Sequence, residues 1–312
     1  MIAFIVRRLL QSLFALLVMS LLVFVGMYAI GNPVDILINP EATQAERAAT
    51  VAAFGLDKPL WVQYGLFLKS AVAGDLGRSF AYSTPALTLI AQRLPATLEL
   101  AVVAMLVSIL LGVPLGLWAG LRRNGLAGRA IMGFSILGFS LPTFWVGLML
   151  IMLFSVQLGW LPASGYVSPF EDLRANLAAT VMPAFVLGNA LAGVLMRHTR
   201  SAMLQVLSSD YITTARSKGL LERTVVLKHA LRNALTPVIT LGALELGTLL
   251  SGAVLTEQVF SIPGFGKLIV DSVFNRDYAV VQGVVLVTAS AYIVLSLLAD
   301  LAYFAANPRL RG

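Results

Sequence analysis

Four stretches of the chain contain no Asp, Glu, Lys or Arg: Leu9–Val34, Leu100–Leu121, Ala130–Phe170 and Ala175–Met196. Two more, Asn233–Thr256 and Tyr278–Pro308, are interrupted only by Glu245 and by Asp300. A helix needs about 20 apolar residues to cross the hydrocarbon core of a bilayer. The pattern therefore predicts an all-α polytopic membrane protein with six transmembrane helices. The third run is too long for one helix, and Gly159, Pro162 and Gly165 are expected to end it near Leu158. Arg7 and Arg8 precede the first run, as in a signal peptide. That run is too long for an ordinary apolar signal core and no A-x-A site follows it, so it is expected to remain as a helix.

Between the first two spans, residues 31–95 carry balanced charge and read as an external segment. Within it, "EATQAERAATVAAF" predicts a short helix with Glu in its first turn. Pro59 opens a second helix over "PLWVQYGLFLKSAV", and "GDLGRS" predicts a turn. This segment is either a surface excursion or a docking face. In the second span Gly112, Gly116 and Gly120 recur every four residues, which puts them on one face and suits close helix packing. Pro114, Pro142 and Pro183 permit kinks in or near spans two, three and four.

Charge gives the direction. One set of loops, together with both ends of the chain, holds Arg7, Arg8, Arg122, Arg123, Arg129, Arg197, Arg200, Arg216, Lys218, Arg223, Lys228, Arg232, Arg309 and Arg311, against the acids Asp210 and Glu222. The positive-inside rule places that side, and both termini, in the cytoplasm. The net charge of +7 is thus a topology signal, and nucleic-acid binding is not implied. The 12% of charged residues is about half the usual share in a soluble domain, in keeping with a membrane protein.

Several chemistries are excluded. With two histidines and no cysteine, a zinc, haem or iron–sulfur site built by this chain alone is not expected. "FSIPGFGKL" imitates a phosphate loop, but Ser261 stands where the first Gly is needed and Leu268 where the hydroxyl is needed. No nucleophilic triad or paired-carboxylate arrangement stands out. The chain is expected not to be an enzyme.

The most polar stretch is "SSDYITTARSKGLLERTVVLKHALRN", residues 208–233. Residues 208–222 predict a short helix, with Ser208 or Ser209 capping it, Asp210 at its positive end, Lys218 near its negative end and Gly219 terminating it. A second helix from about Leu221 runs into span five. A free helix of about ten residues is marginal, so something must hold it. It is either a basic loop on anionic lipid or a short helix fitting a groove on a partner.

"DYITTARSKGL" resembles the coupling loop of ATP-binding-cassette importer permeases of the dipeptide, oligopeptide and nickel branch. The general E-A-A-x-x-x-G pattern is met by Thr213, Thr214 and Ala215 in the first three places and by Gly219. The lost Glu is a departure, but Thr214, Ala215, Lys218 and Gly219 match the branch's own T-A-x-x-K-G. "FIVRRLLQSL", "FGLDKPLWVQY", "GDLGRSF", "LPATLELA", "LRNALTPVIT", "EQVFSIPGFGKL", "NRDYAVVQG" and "NPRLRG" resemble the branch in order along the whole chain.

The resemblance implies a type I importer permease fold in the inner membrane. The chain would form one transmembrane domain, 1–312, with a cytoplasmic coupling loop at 197–232. Asp210, Tyr211, Thr214, Arg216 and Lys218 would contact a cytoplasmic ATPase, Ala215 would permit close approach and Gly219 would make the turn. The implied partners are a second, homologous permease, two ATPase subunits, an extracytoplasmic solute-binding protein and membrane lipid. ATP and Mg would sit on the ATPases, with no cofactor in this chain. Gly74, Asp75, Gly77, Pro263, Gly264 and Gly266 would lie near the external mouth, as gate or docking residues.

Acids inside spans are functional suspects. Glu99 is expected to reach the outer interface and Asp300 to meet Arg309 or Arg311. Glu245, the deepest, faces either the translocation path, meeting a cationic group of the solute, or a partner within the bundle. Within the branch the solute is a small peptide, or alternatively a nickel chelate, glutathione or an opine. From another class, a secondary transporter or channel working without ATP would show inverted repeats or a selectivity filter, and neither is visible.

Overall fold

The computed structural model describes residues 2–30, 43–53, 57–123 and 125–306. They form helices joined by turns: α1 (Ile2–Ile30), α2 (Gln44–Ala53), α3 (Leu60–Val72), α4 (Ala86–Leu121), α5 (Leu126–Ser140), α6 (Thr143–Leu150), α7 (Leu173–Leu207), α8 (Asp210–Ser217), α9 (Glu222–Thr224), α10 (Leu231–Gly252), α11 (Val254–Val259), α12 (Phe265–Phe274) and α13 (Tyr278–Ala306). π-Helical turns follow α6 (Ile151–Gln157) and α9 (Val225–Ala230). Among the described residues, Val6–Met27, Ala86–Leu121, Leu173–Leu207 and Tyr278–Leu297 are each long and apolar enough to cross a membrane. The 22-residue α10 lies where the fifth run predicts a span.

The third span differs from expectation. Instead of one helix from Ala130 to Leu158, Leu126–Ser140 and Thr143–Gln157 meet at a bend of 100°. Proline disfavours helical backbone in the residue before it, and here Leu141 (ψ 135°) and Pro142 (ψ 128°) are both extended. Each arm has 15 residues, or about 22 Å, short of the ~30 Å of a hydrocarbon core. Arg309 and Arg311, the expected partners of Asp300, and residues 31–42 of the external segment lie outside the described residues.

The chain divides into two compact units. The first comprises Met1–Pro95 and Pro263–Val294. Its α1 exposes Leu10, Phe14 and Leu22, as a lipid-facing helix does. Phe24 of α1 packs on Tyr64 and Phe67 of α3, with ring centroids 5.4 and 6.4 Å apart. α2 opens on a capping box: the Thr43 N–H and hydroxyl both donate to Glu46 Oε2 at 2.9 Å, and the Glu46 N–H donates back to Thr43. These bonds hold the Glu46 carboxyl below its ordinary range. Pro59 sits at the N-cap of α3, where its missing N–H costs nothing. Leu76, Leu89, Ile90, Phe265, Leu268, Val280 and Val284 form this unit's main core.

The second unit comprises Ala96–Ile262 and Leu295–Gly312. Its centre is α7, buried along much of its length and packed against α5, α6 and α10. The predicted glycine stripe is its seam with α4. A Cβ on Gly112 would lie 2.7 Å from Leu195 Cβ, and one on Gly116 would lie 2.6 Å from the Met196 carbonyl oxygen. α7 answers with Gly188, where a Cβ would come 2.6 Å from the Ala104 carbonyl oxygen. The backbones approach because no side chain separates them. Gly116→Leu is expected to lower stability by about 3 kcal/mol or more, since the Met196 carbonyl oxygen and Cα, at 2.6 and 3.0 Å from such a Cβ, are helix backbone and cannot step aside. Thermal unfolding in detergent checks it, with the exposed Gly133→Leu as the near-neutral reference.

Candidate functional site

The 197–232 loop lies in the second unit, and its helix is shorter than expected, Asp210–Ser217. Neither predicted serine caps it. The Ser208 hydroxyl donates to the Gln205 carbonyl at 2.9 Å and the Ser209 hydroxyl to the Val206 carbonyl at 2.5 Å. The last carbonyls of α7 lack partners within their own helix, and the serines satisfy those rather than the amides ahead. The start of α8 is held by backbone bonds from Ile212 and Thr213 to the Ser209 carbonyl, with Asp210 in the first turn.

Its end follows the prediction. Gly219 has φ +75°, a conformation glycine adopts without steric cost. Its N–H donates to the Arg216 carbonyl at 2.9 Å, and the Leu220 N–H donates to the Ala215 carbonyl at 3.4 Å. These two bonds make a Schellman stop. Across it, Arg216 grips Glu222 with two bonds, Nη2–Oε1 at 2.6 Å and Nε–Oε2 at 3.1 Å.

A helix of eight residues is marginal alone, and its seat is visible. Ile212 and Ala215, three residues apart on one face, are buried with Ala202, Met203, Val225, Ala230 and Ala234. Ala215, expected to ease contact with a partner, is 7% exposed and turned into this chain's own core. Its small side chain lets α8 settle on the π-helical turn below. Tyr211 accepts a 2.8 Å bond from Asn233 Nδ2, which ties α8 to the first turn of α10. Asp210, Tyr211, Thr214, Arg216, Lys218 and Gly219 are all exposed, and beyond them stands Leu221, 77% exposed. The arrangement is a short rod, stopped sharply, anchored to α7 and α10, and offering a polar face with an apolar tip.

The Arg216 bond holds the Glu222 carboxyl below its ordinary range, and Glu222 holds the Arg216 guanidinium above its own. A depressed carboxylate stabilises the fold above its unfolded pKa and loses that contribution as pH falls through the folded value. Both groups are largely exposed, which limits the pair to under about 1 kcal/mol. Glu222→Gln is therefore expected to cost less than about 1 kcal/mol at pH 7 and less still at pH 3, as the depressed carboxyl takes up its proton. Unfolding curves at the two pH values check both statements.

The external candidates come together in the first unit. Gly74 and Gly77 adopt φ +83° and +84°, and Asp75 Oδ1 accepts the Gly77 N–H at 2.9 Å. The turn delivers Leu76 to Phe265 and Leu268 of α12, which Gly264 precedes. Gly264 and Gly266 are buried and Pro263 half-buried, while Gly74 and Asp75 are exposed. Asp277, which the sequence reading passed over, locks the turn. It is fully buried, accepts a hydrogen bond from the Ser79 hydroxyl and receives the Ala81 and Val280 N–H groups. "GDLGRSF" and "NRDYAVVQG" are thus two halves of one contact.

The span acids fall into different settings. Glu245 is half-buried and accepts the Thr248 hydroxyl at 2.7 Å. Glu99 does not simply reach an interface. It accepts bonds from Asn176 Nδ2 (2.6 Å), the Tyr166 hydroxyl (2.7 Å) and Thr180 (3.4 Å). The physical reason is that α4 extends to Ala86, which brings Glu99 well inside the helix and against α7. Glu257, unremarked in the sequence, is fully buried and accepts the Thr97 hydroxyl at 2.7 Å. Among the described residues no group of His, Cys, Asp and Glu could hold a metal ion.

The family described as "Binding-protein-dependent transport system inner membrane component" matches residues 112–312, and its N-terminal companion matches residues 1–101. The oligopeptide transport system permease protein AppB of Bacillus subtilis is 40% identical over 99% of both chains. The dipeptide transport system permease protein DppB of Escherichia coli K12 is 40% identical over all of this chain and 99% of its own. The glutathione transport system permease protein GsiC of Escherichia coli O6:H1 is 39% identical over the same shares. Among solved structures, a chain of the MetNI methionine ABC transporter in inward-facing conformations aligns with TM-score 0.57 at 19% identity, over 71% of this chain and 97% of its own. That likeness concerns the fold. Matched along both its halves and by relatives over nearly its whole length, the chain belongs to the binding-protein-dependent transport system inner membrane components, the membrane-spanning permease subunits of ABC importers.

Proposed function

We propose that the chain forms half of the translocation pathway for di- or oligopeptides and that α8 is its coupling helix, seated on a cytoplasmic ATPase. The observation that carries this reading is the mechanical state of α8. It is anchored to α7 below and α10 beside, and its polar face is unoccupied by this chain. A rod so tied transmits displacement into two long helices, where a loose basic loop would not. Asp210, Tyr211, Thr214, Arg216 and Lys218 supply the contact face, Leu220 and Leu221 the tip, and Ala215 the seat. Both termini then lie in the cytoplasm with the loop.

The assembly would pair this chain with a homologous permease, two ATPases binding ATP and Mg, and an extracytoplasmic solute-binding protein. Peptides are favoured because AppB and DppB, at 40% identity, carry those solutes in their names. Glutathione, itself a small peptide, is the second reading, on the strength of GsiC. Glu245 would meet a cationic group of the solute. Tagged chain drawn from native membranes should bring down two ATPases and a sister permease, and the reconstituted complex should take up peptide only with ATP. Uptake by this chain alone in liposomes under an ion gradient would refute the reading. Unchanged affinity and rate in Glu245→Gln would remove Glu245 from the path.

A further inference from the structure

Beside the seat of α8, the end of α4 and the start of α9 enclose a groove of about 500 Å³, lined by Leu117, Leu121, Arg122, Glu222, Arg223, Val226 and Leu227. Its wall is apolar: Leu121 and Leu227 are 42% and 48% exposed, and Leu117 and Val226 continue inward. Its rim is cationic. Glu222 is already gripped by Arg216, so its charge does not offset the two arginines. Neither Arg122 nor Arg223 has a carboxylate partner among the described residues. The groove also sits at a defined depth. α4 ends at Leu121, and the Arg122 guanidinium lies 5.8 Å over the ring of Trp118. An aromatic ring with a basic group just beyond it marks the boundary between acyl chains and headgroups.

We propose that this groove holds one anionic phospholipid, with its phosphate drawn by Arg122 and Arg223 and an acyl chain lying along Leu117, Leu121, Val226 and Leu227. The charge complementarity selects an anion, and the apolar wall selects a lipid over free phosphate, which would leave that wall wet. Val226 belongs to the π-helical turn beside Val225, and Val225 is part of the seat of α8. The lipid would therefore stiffen the support of that helix. Binding itself can be read without any transport assay, so its failure is distinct from failure of the importer reading.

The test uses the purified full chain in detergent, titrated with phosphatidylglycerol, phosphatidylcholine or inorganic phosphate, with bound lipid counted by native mass spectrometry. One phosphatidylglycerol is expected to persist on the wild type, and phosphatidylcholine is expected to bind far more weakly. Each arginine removed should weaken binding about five-fold, and R122Q/R223Q together about 25-fold, as about 1 kcal/mol per basic residue at an anionic surface implies. R123Q, at the same membrane face but outside the lining, should bind as the wild type does. R223Q alone, which removes an exposed side chain, serves if the double variant fails to fold. The proposal is overturned if R223Q retains wild-type binding, if R123Q weakens it equally, or if phosphatidylcholine binds as well. It is equally overturned if millimolar phosphate displaces the lipid, or if copurified ATPase occupies the groove in its place.

Discussion

Ala215→Glu will reduce ATP-driven uptake to below a tenth of wild type while ATP hydrolysis continues. The substitution acts on the seat of α8, since Ala215, beside Ile212 on the buried face, belongs to one cluster with Met203, Val225 and Ala234 and is 7% exposed. A glutamate there must either bury its carboxyl without a partner or pull the helix outward. Overpacking alone costs roughly 1–3 kcal/mol, and an uncompensated buried charge brings the total to about 3–5 kcal/mol. Eight residues with little stability of their own cannot resist that, so α8 leaves its seat. The other buried cluster of the second unit, around Leu100, Leu187 and Leu195, is untouched, and the remaining helices should hold. Limited trypsin digestion reads the seat directly, because Arg216 and Lys218 lie in the segment released. Thr213→Glu, which adds the same charge on the exposed face, should leave both the digestion pattern and the fold as they were. A variant with a loosened loop and normal uptake would show that α8 is no lever.

Much of this was legible in the sequence because it is local. Apart from the third, each apolar run lies largely within one long helix over its described residues, Pro59 opens α3, Gly219 stops α8, and the four-residue glycine spacing marks the α4–α7 seam. Ala215 was legible in principle, since Ile212 and Ala215 share a helix face and are the apolar members of α8 after Tyr211. A local pattern cannot rank competing partners, and here it failed. Ser209 reads as a cap, yet the orphan carbonyl behind it won the hydroxyl. Pro142 reads like Pro114 and Pro183, which sit inside continuous helices, yet of the three only Pro142 coincides with a 100° break. The break depends on what packs around it: Gly138 against Asn189 on one side and Gly147 against Phe260 on the other. Likewise Glu99, Glu257 and Asp277 accept hydrogen bonds from donors 67–81, 160 and 196–198 residues away, where no periodicity can point, whereas the Val280 N–H on Asp277 is local.

Glu99→Ala will destabilise the second unit by about 3 kcal/mol, well beyond an average substitution. Asn176 is 3% exposed and Thr180 4%, so two of the three donors that Glu99 now satisfies have no water to turn to. Asn176 Nδ2 also holds the Val167 carbonyl at 2.8 Å. Tyr166 approaches from the same connection, so the carboxylate binds α4 to α7 and to the segment between the second arm, Thr143–Gln157, and α7. Each buried donor left unmade costs about 1–3 kcal/mol, and shared donors make the losses less than additive. Glu99→Gln keeps one acceptor oxygen for Asn176 and should cost roughly half as much. The phenol of Tyr166 supplies a readout that global unfolding does not. Burial first, then the bond to Glu99 and its charge, push its pKa up to about 12. Because the folded value is raised above that of the free side chain, its contribution is complete below pH 10 and is lost as pH rises through about 12. In Glu99→Ala the burial persists but the acceptor and its charge are gone, so tyrosinate absorbance should rise at lower pH than in the wild type, with Tyr166→Phe subtracted to isolate the group. If Tyr166 titrates unchanged and stability falls by less than about 1 kcal/mol, the three donors are not held by Glu99. The connection ahead of α7 would then owe its position to apolar packing of Leu161 and Tyr166 on the core alone.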